Sequence, residues 1–201
     1  MCGHATLATA HALNEDGLAA EPVRFRTLSG VLTTSVADDG LITMDFPASP
    51  AVATEAPATL AQSLGTQPLR TFDTGALGDL LVELPDAGAV LALRPDLRGL
   101  AELGQRCVIV TAAAEPGSDH DFVSRVFCPG VGIPEDPVTG SAHTALGPFW
   151  GARTGLGELV GLQASPRSGL VRVELHGSRV LLRGYAVTVL DGVLSEAAMS
   201  S

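Results

Sequence analysis

The chain has no lysine. All twelve of its basic residues are arginines, set against 22 aspartates and glutamates, and the formal net charge over 201 residues is −10. A negative excess of that size repels a phosphate backbone and an anionic lipid surface, so neither nucleic acid nor a membrane is an expected partner. Cysteine is scarce: Cys2, Cys107 and Cys128 stand at no metal-ligand spacing and read as free thiols of a reducing, cytoplasmic compartment. Cys107 and Cys128 fall in or beside strands and read as small core hydrophobes. No apolar run reaches transmembrane length, and no basic segment precedes an apolar stretch in the manner of a leader. Glycine patterns of the Rossmann or P-loop kind are missing too, so no cofactor and no metal is expected.

What is present is an apolar fraction of 46%, enough for a real core in one domain or two small ones. Residues 4–13 read as a helix, apolar nearly all round and therefore buried. Strands follow at Val23–Thr27, Gly30–Val36 and Leu41–Phe46, with Asp38-Asp39-Gly40 as a hairpin turn. The stretch Pro47 to Pro57 reads as a linker. Leu60–Leu64 reads as one helical turn, and Leu69–Thr74 and Asp79–Leu84 read as strands. Asp86 and Asp96 open short helices ending near Leu93 and Leu103, and Cys107–Ala112 and Phe122–Phe127 are strands. A central helix over Ser141–Thr154 stops at Gly155, with a kink expected at Gly147-Pro148. Strands at Glu158–Ala164, Leu170–His176 and Val180–Leu190 close the chain, the last interrupted at Gly184, and the tail from Ser195 is expected to be loose.

The most informative stretch is Glu135-Asp136-Pro137-Val138-Thr139-Gly140-Ser141-Ala142-His143. An acidic pair precedes a proline, and Thr-Gly-Ser then opens an apolar run. The start of a helix points free amide N–H groups outward, and a carboxylate beside it makes a place that can hold an anion and move a proton. Cys2-Gly3-His4-Ala5-Thr6 offers a second version at the chain's opening. Two such helices, mouth to mouth, line a cleft with backbone donors. Each residue has a plainer alternative. Asp136 assists proton transfer or closes an Asx-type turn over Pro137–Gly140. The N–H groups of Gly140, Ser141 and Ala142 cradle a carboxylate or enolate, or Ser141 merely caps, and both can hold at once. Gly3 and His4 do the same from the other side, or His4 is a surface histidine. Gln163, Ser165 and Arg167 form a polar loop at the cleft rim, or a solvated turn. Glu135 reads as an exposed neighbour of Asp136, and His143 as a packing or capping residue.

Five segments in one register carry a resemblance: Cys2-Gly3-His4-Ala5-Thr6, Phe122–Phe127, Gly132–His143, Gln163-Ala164-Ser165-Pro166-Arg167 and Ala186–Leu190. Together they resemble the phenazine-biosynthesis (PhzF-like) isomerases, which share the diaminopimelate epimerase fold. The resemblance implies an α+β fold of two lobes, each a curved, barrel-like sheet around a central helix, with the active site between them. It places an incomplete first lobe at residues 1–48 and the second lobe at 49–201, the last strand returning to the first. It implies catalytic or supporting roles for Asp136, His4 and Ser141, and substrate binding at Gly3, Ala5, Gly140 and Ala142. The implied function is a cofactor-free isomerase that moves a proton on a small carboxylated metabolite. Family members carry roughly seventy residues ahead of the Cys-Gly-His stretch, with a catalytic glutamate that has no counterpart here. The first lobe is thus expected to lack strands, to leave Leu7, Ala8 and Leu13 facing water, and to associate as a homodimer. The alternative from another class is a truncated, catalytically silent paralogue kept as a binding module or left as a gene remnant. An amino-acid epimerase is disfavoured, because Asp136 stands where such an enzyme needs a thiol.

Overall fold

A computed structural model of the chain describes residues 3–19, 22–27 and 30–193; Cys2 and the tail from Ser195 lie outside the described residues. The elements are α1 (Gly3–Glu15), β1 (Val23–Thr27), β2 (Gly30–Val36), β3 (Ile42–Pro47), β4 (Val52–Thr54), α2 (Leu60–Leu64), β5 (Arg70–Asp73), β6 (Asp79–Glu83), α3 (Ala87–Ala92), α4 (Leu97–Glu102), β7 (Cys107–Ala113), β8 (Phe122–Cys128), β9 (Ile133–Asp136), α5 (Gly140–Thr154), β10 (Glu158–Gln163), β11 (Gly169–His176) and β12 (Arg179–Gly184). The fold is α+β, as the sequence implies. All twelve strands belong to one sheet, in the order β1-β2-β3-β12-β11-β10-β8-β7-β6-β5-β4, with β9 hung on β8.

Strands β6, β7 and β8 are buried on both faces, and their alternate residues serve two different cores. Val108, Val110 and Ala112 of β7 and Val123 and Phe127 of β8 pack under α2, α3 and α4. Ile109, Phe122 and Val126 point the other way, onto Ala142, Ala145, Leu146, Phe149 and Trp150 of α5. Helix α5 also packs on β10, β11 and β12, so the sheet curls around it and leaves little of it exposed. Side chains are missing where the approach is closest: a Cβ on Gly147 would stand 2.6 Å from Val173 Cγ1, and one on Gly151 would stand 2.3 Å from Leu175 Cδ1. Asp86 and Asp96 cap α3 and α4 by accepting from the amides of Ala89 and Arg98.

The helix runs unbroken through Pro148. Proline has no N–H, so the carbonyl of Thr144 loses its intrahelical donor. The N–H of Ser49 takes that carbonyl instead, at 3.0 Å. The connector between β3 and β4 is thereby fastened to the central helix.

Several expectations need correction. The supposed linker contains β4, a three-residue edge strand paired with β5. Helix α1 is not buried all round: Gly3, Thr6 and Ala10 form its one buried stripe, on β2 and β3, whereas Ala5, Ala8 and Ala12 are exposed and Leu7 and Leu13 half-buried. β12 ends at Gly184, and residues 185–190 run without regular structure. There Thr188 Oγ1 donates to the Glu15 carboxylate at the far end of α1. Cys107 and Cys128 are not free thiols. They face each other across the antiparallel β7–β8 pair, Cα atoms 4.1 Å apart, and form a disulfide.

Candidate active site

The N-termini of α1 and α5 meet. An ideal Cβ on Gly3 would stand 3.4 Å from Gly140 Cα, and one on Gly140 would stand 3.6 Å from Gly3 Cα. The two helix starts are thus in direct van der Waals contact, backbone against backbone. Beside them opens a cleft of about 270 Å³, lined by Gly3, His4 and Gly140 at the mouths and by Leu7, Met44, Val138, Leu170, Val171, Leu182, Arg183, Gly184 and Tyr185. The first turn of each helix leaves amide N–H groups without intrahelical acceptors, and the two helix dipoles add there. Arg183 brings a guanidinium to the rim, paired with Glu174. The hydrogen bond from His176, with Arg183 beside it, holds the Glu174 carboxyl below the usual carboxylate range.

Of the residues singled out in the sequence, Gly3, His4 and Gly140 line this cleft. Ala5 is exposed on α1 outside it; Ser141 and Ala142 are buried in the first turn of α5. Ser141 is not the N-cap. That position belongs to Thr139, whose hydroxyl makes no capping bond. It donates instead to Asp136 Oδ2 at 2.6 Å, a bond between side chains and not the main-chain bond of an Asx-type turn.

The loop carrying Asp136 is held from below. Gln163, fully buried at the end of β10, accepts the Thr139 N–H with Oε1 at 2.7 Å. Its Nε2 donates to the Asp136 carbonyl at 2.7 Å and to Thr139 Oγ1 at 3.1 Å. Ser165 Oγ donates to the Pro137 carbonyl at 2.8 Å. Gln163 and Ser165 are therefore supports beneath the loop and not part of a solvated rim, whereas Arg167 is exposed. Glu135 is not exposed either. Strand period turns it to the opposite face of β9 from Asp136, where Arg125 grips both its oxygens at 2.8 and 3.0 Å.

Two buried titratable groups flank the same helix start. His143 has no exposed surface, and its Nδ1 donates to the Thr139 carbonyl at 2.9 Å. Burial pushes its pKa down to about 4, so the ring is neutral, and Nε2 has no partner among the described residues. Asp79 is 1% exposed. Burial pushes its carboxyl up to about 6, against the pull of Arg106. Arg106 Nη2 stands 2.6 Å from Asp79 Oδ2 and 3.4 Å from Ser141 Oγ. Sequence reading missed this pair, which is 27 residues apart. Among the described residues no cluster of three or more His, Cys, Asp or Glu is placed to hold a metal ion, and no helix is long and apolar enough to cross a membrane.

Comparison with known proteins fits this geometry. Residues 1–192 match the family described as phenazine biosynthesis-like protein. An uncharacterized isomerase of Halalkalibacterium halodurans is 42% identical over 96% of this chain and 73% of its own length. One from Pseudomonas aeruginosa is 43% identical over 96% and 72%. A crystal structure of a phenazine biosynthesis PhzC/PhzF protein from Clostridium difficile superposes with a TM-score of 0.83 at 33% identity, over 97% of this chain and 73% of that one. A probable proline racemase from Agrobacterium radiobacter, 16% identical with a TM-score of 0.55, shares the fold alone. The chain belongs to the phenazine biosynthesis-like, or PhzF-like, family and has its epimerase-like fold. Relatives in this family are named as isomerases.

Proposed function

We propose that the protein is a cofactor-independent isomerase that moves a proton on a small carboxylated carbon acid. The observation that carries this reading is the convergence of two helix N-termini, at Gly3 and Gly140, on one cleft with mainly apolar walls. A substrate carboxylate docks against the amide groups of the two mouths, where the helix dipoles favour negative charge. The same donors stabilise the enolate that forms when a proton leaves the carbon beside the carbonyl. His4, which lines the cleft, and Asp136, four residues ahead of Gly140, are the acid–base groups of this reading, and the apolar walls limit the water around the carbanion-like intermediate.

The test is deuterium incorporation into small keto and unsaturated acids in D₂O, with sulfate and citrate titrations followed at the Gly140–Ala142 amides. Asp136→Asn is expected to keep the fold and lower exchange by roughly 10²–10⁴-fold. Unchanged turnover would remove Asp136 from the mechanism. A second reading, a binding module without turnover, is favoured by one observation: Asp136 is tied to Thr139 and does not line the cleft. Anion shifts without any isotope exchange would select it.

A further inference from the structure

We infer that Cys107 and Cys128 are a reversible dithiol–disulfide pair, whose oxidation state sets how firmly the start of α5 is held and how tightly an anion binds at the helix mouths. The anion site belongs to the function proposed above; the reversible pair itself does not depend on it.

One row of residues runs across four strands. Asp79 of β6 pairs with Cys107 of β7, Cys107 is bonded to Cys128 of β8, and Cys128 pairs with Ile133 of β9. Both ends of this row reach α5. At one end Arg106, the neighbour of Cys107, holds Asp79 Oδ2 at 2.6 Å and stands 3.4 Å from Ser141 Oγ in the first turn of the helix. The Arg106 main-chain N–H donates to the Gly78 carbonyl at 3.0 Å, so this contact moves with the β6–β7 edge. At the other end β9 runs from Ile133 to Asp136 and delivers the chain to Gly140. The two cysteines lie in the same core as Ala142, Ala145 and Leu146. The disulfide is thus the middle link of a brace that reaches the helix start by two routes.

Register keeps the cysteines together without the bond. β7 and β8 share six antiparallel pairs, from Val108↔Phe127 to Ala113↔Phe122, and the next pair in that register is Cys107 and Cys128. Thiols made by reduction stay opposite each other at high effective concentration, and an oxidant closes them again without refolding. The pair also stands where the ladder ends. Cys107 and Cys128 are 2% and 3% exposed, but residues 130–134, just beyond, are exposed. This segment covers the chain ahead of Cys107 closely: a Cβ on Gly130 would stand 2.9 Å from the Gln105 carbonyl oxygen. Lifting it uncovers the bond while the rest of the sheet stays paired. A dithiol reductant then attacks one sulfur as its thiolate and breaks the S–S bond. A second attack closes the reductant to its own disulfide, and two electrons and two protons pass to Cys107 and Cys128. With the middle link open, the first turn of α5 loses restraint by both routes. The reduced form therefore binds an anion more weakly, and by linkage a bound anion makes the disulfide harder to reduce by the same factor.

The experiment uses the whole chain with Cys2→Ser, so that only the pair can exchange. Oxidised protein, protein equilibrated with dithiothreitol, and protein reoxidised with the cyclic disulfide of that reagent are compared. Alkylation and mass spectrometry count thiols, sulfate is titrated against the Gly140–Ala142 amides by NMR, and hydrogen exchange is read along the chain. Two thiols are expected to appear in the folded protein without denaturant. Sulfate should bind at least about fivefold more weakly in the reduced form and recover on reoxidation, and saturating sulfate should shift the dithiothreitol equilibrium against reduction by the same factor. Exchange over residues 133–146 should speed roughly tenfold while β3, Ile42–Pro47, keeps its rate. A bond that dithiothreitol opens only in urea overturns the inference, because the disulfide is then a fixed structural tie. Exchange that speeds equally in β3 and in residues 133–146 overturns it too, since the loss is then one of global stability. Equal sulfate affinities in the two states overturn the link to the anion site. No sulfate shift in either state refutes the anion site and the function proposed from it, while the thiol count and the exchange pattern still decide the reversible pair. No substitution in the pair itself is needed, so a variant that fails to fold cannot obscure the outcome.

Discussion

Two buried groups at the start of α5 should make opposite contributions to stability between pH 4 and pH 6. His143 titrates near 6.5 in an unfolded chain and is pushed down to about 4 in the fold by burial, offset in part by its bond to Thr139. Within that window the unfolded chain holds a proton that the folded chain lacks, so this contribution is lost as the pH falls. Asp79 moves the other way, from 3.8 to about 6, because desolvation outweighs the attraction of Arg106. There the folded chain holds a proton that the unfolded chain lacks, and stability is lost as the pH rises. Each displacement spans roughly two pH units, and at about 1.4 kcal/mol per unit each group is worth about 3 kcal/mol. In the wild type the two slopes nearly cancel. Asp79→Asn should uncover the histidine: relative to wild type, its unfolding free energy should rise by about 3 kcal/mol from pH 4 to pH 6. His143→Gln should do the reverse, gaining relative to wild type as the pH falls from 6.5 to 4. Urea unfolding followed by fluorescence reads this directly, because Trp150 is the sole tryptophan and is buried in the same core. Parallel curves for wild type and Asp79→Asn would show that Asp79 does not change its protonation on folding, and the reasoning would fail.

Other expectations follow from packing and covalent structure. Gly161→Ala places a Cβ 2.3 Å from the Phe122 ring, and overpacking of that kind should cost about 1–3 kcal/mol in the same urea assay. Ser49→Pro removes the donor to the Thr144 carbonyl and should cost about 1–3 kcal/mol. Pro148→Ala restores a helical donor to that carbonyl and should recover part of the loss, which a double-mutant cycle measures. The Cys107–Cys128 disulfide spans 21 residues, so its replacement by two serines should cost about 3 kcal/mol and make the melting temperature insensitive to dithiothreitol.

Elements bounded by local chemistry were legible in the sequence. Asp86 and Asp96 mark α3 and α4 because an N-cap aspartate is a local signal, and Gly155 stops α5 because it adopts a positive φ of 74°. The hairpin at Asp38-Asp39-Gly40 follows the same logic. What escaped depends on partners far along the chain. β4 lies among prolines and alanines and exists only because β5 pairs with it. Glu135 looked solvated until the register of β9 on β8 turned it toward Arg125. The disulfide needs the β7–β8 register to be seen at all. At the site, the two helix mouths were legible from glycine placement, whereas the support beneath them was not. Gln163 stands 24 residues from Thr139, and nothing local to it announces a clamp.

The pairing of β12 has a mechanical consequence. This strand lies between β3 and β11 and is hydrogen-bonded to both, over Arg179–Gly184 on one side and Arg179–Arg183 on the other. The α1 side of the cleft is therefore joined to the α5 side by an unbroken ladder, not by a linker. A rigid-body hinge between them would have to break ladder bonds. The gap between Gly3 and Gly140 is consequently set by the twist and curl of the shared sheet, and it can change only as an elastic sheet flexes. Access then falls to the small parts at the rim, Arg183 and Tyr185, whose side chains move without disturbing the sheet. The anion proposed for the two helix mouths would meet an aperture set in advance by the sheet, with little ordering left to do on binding.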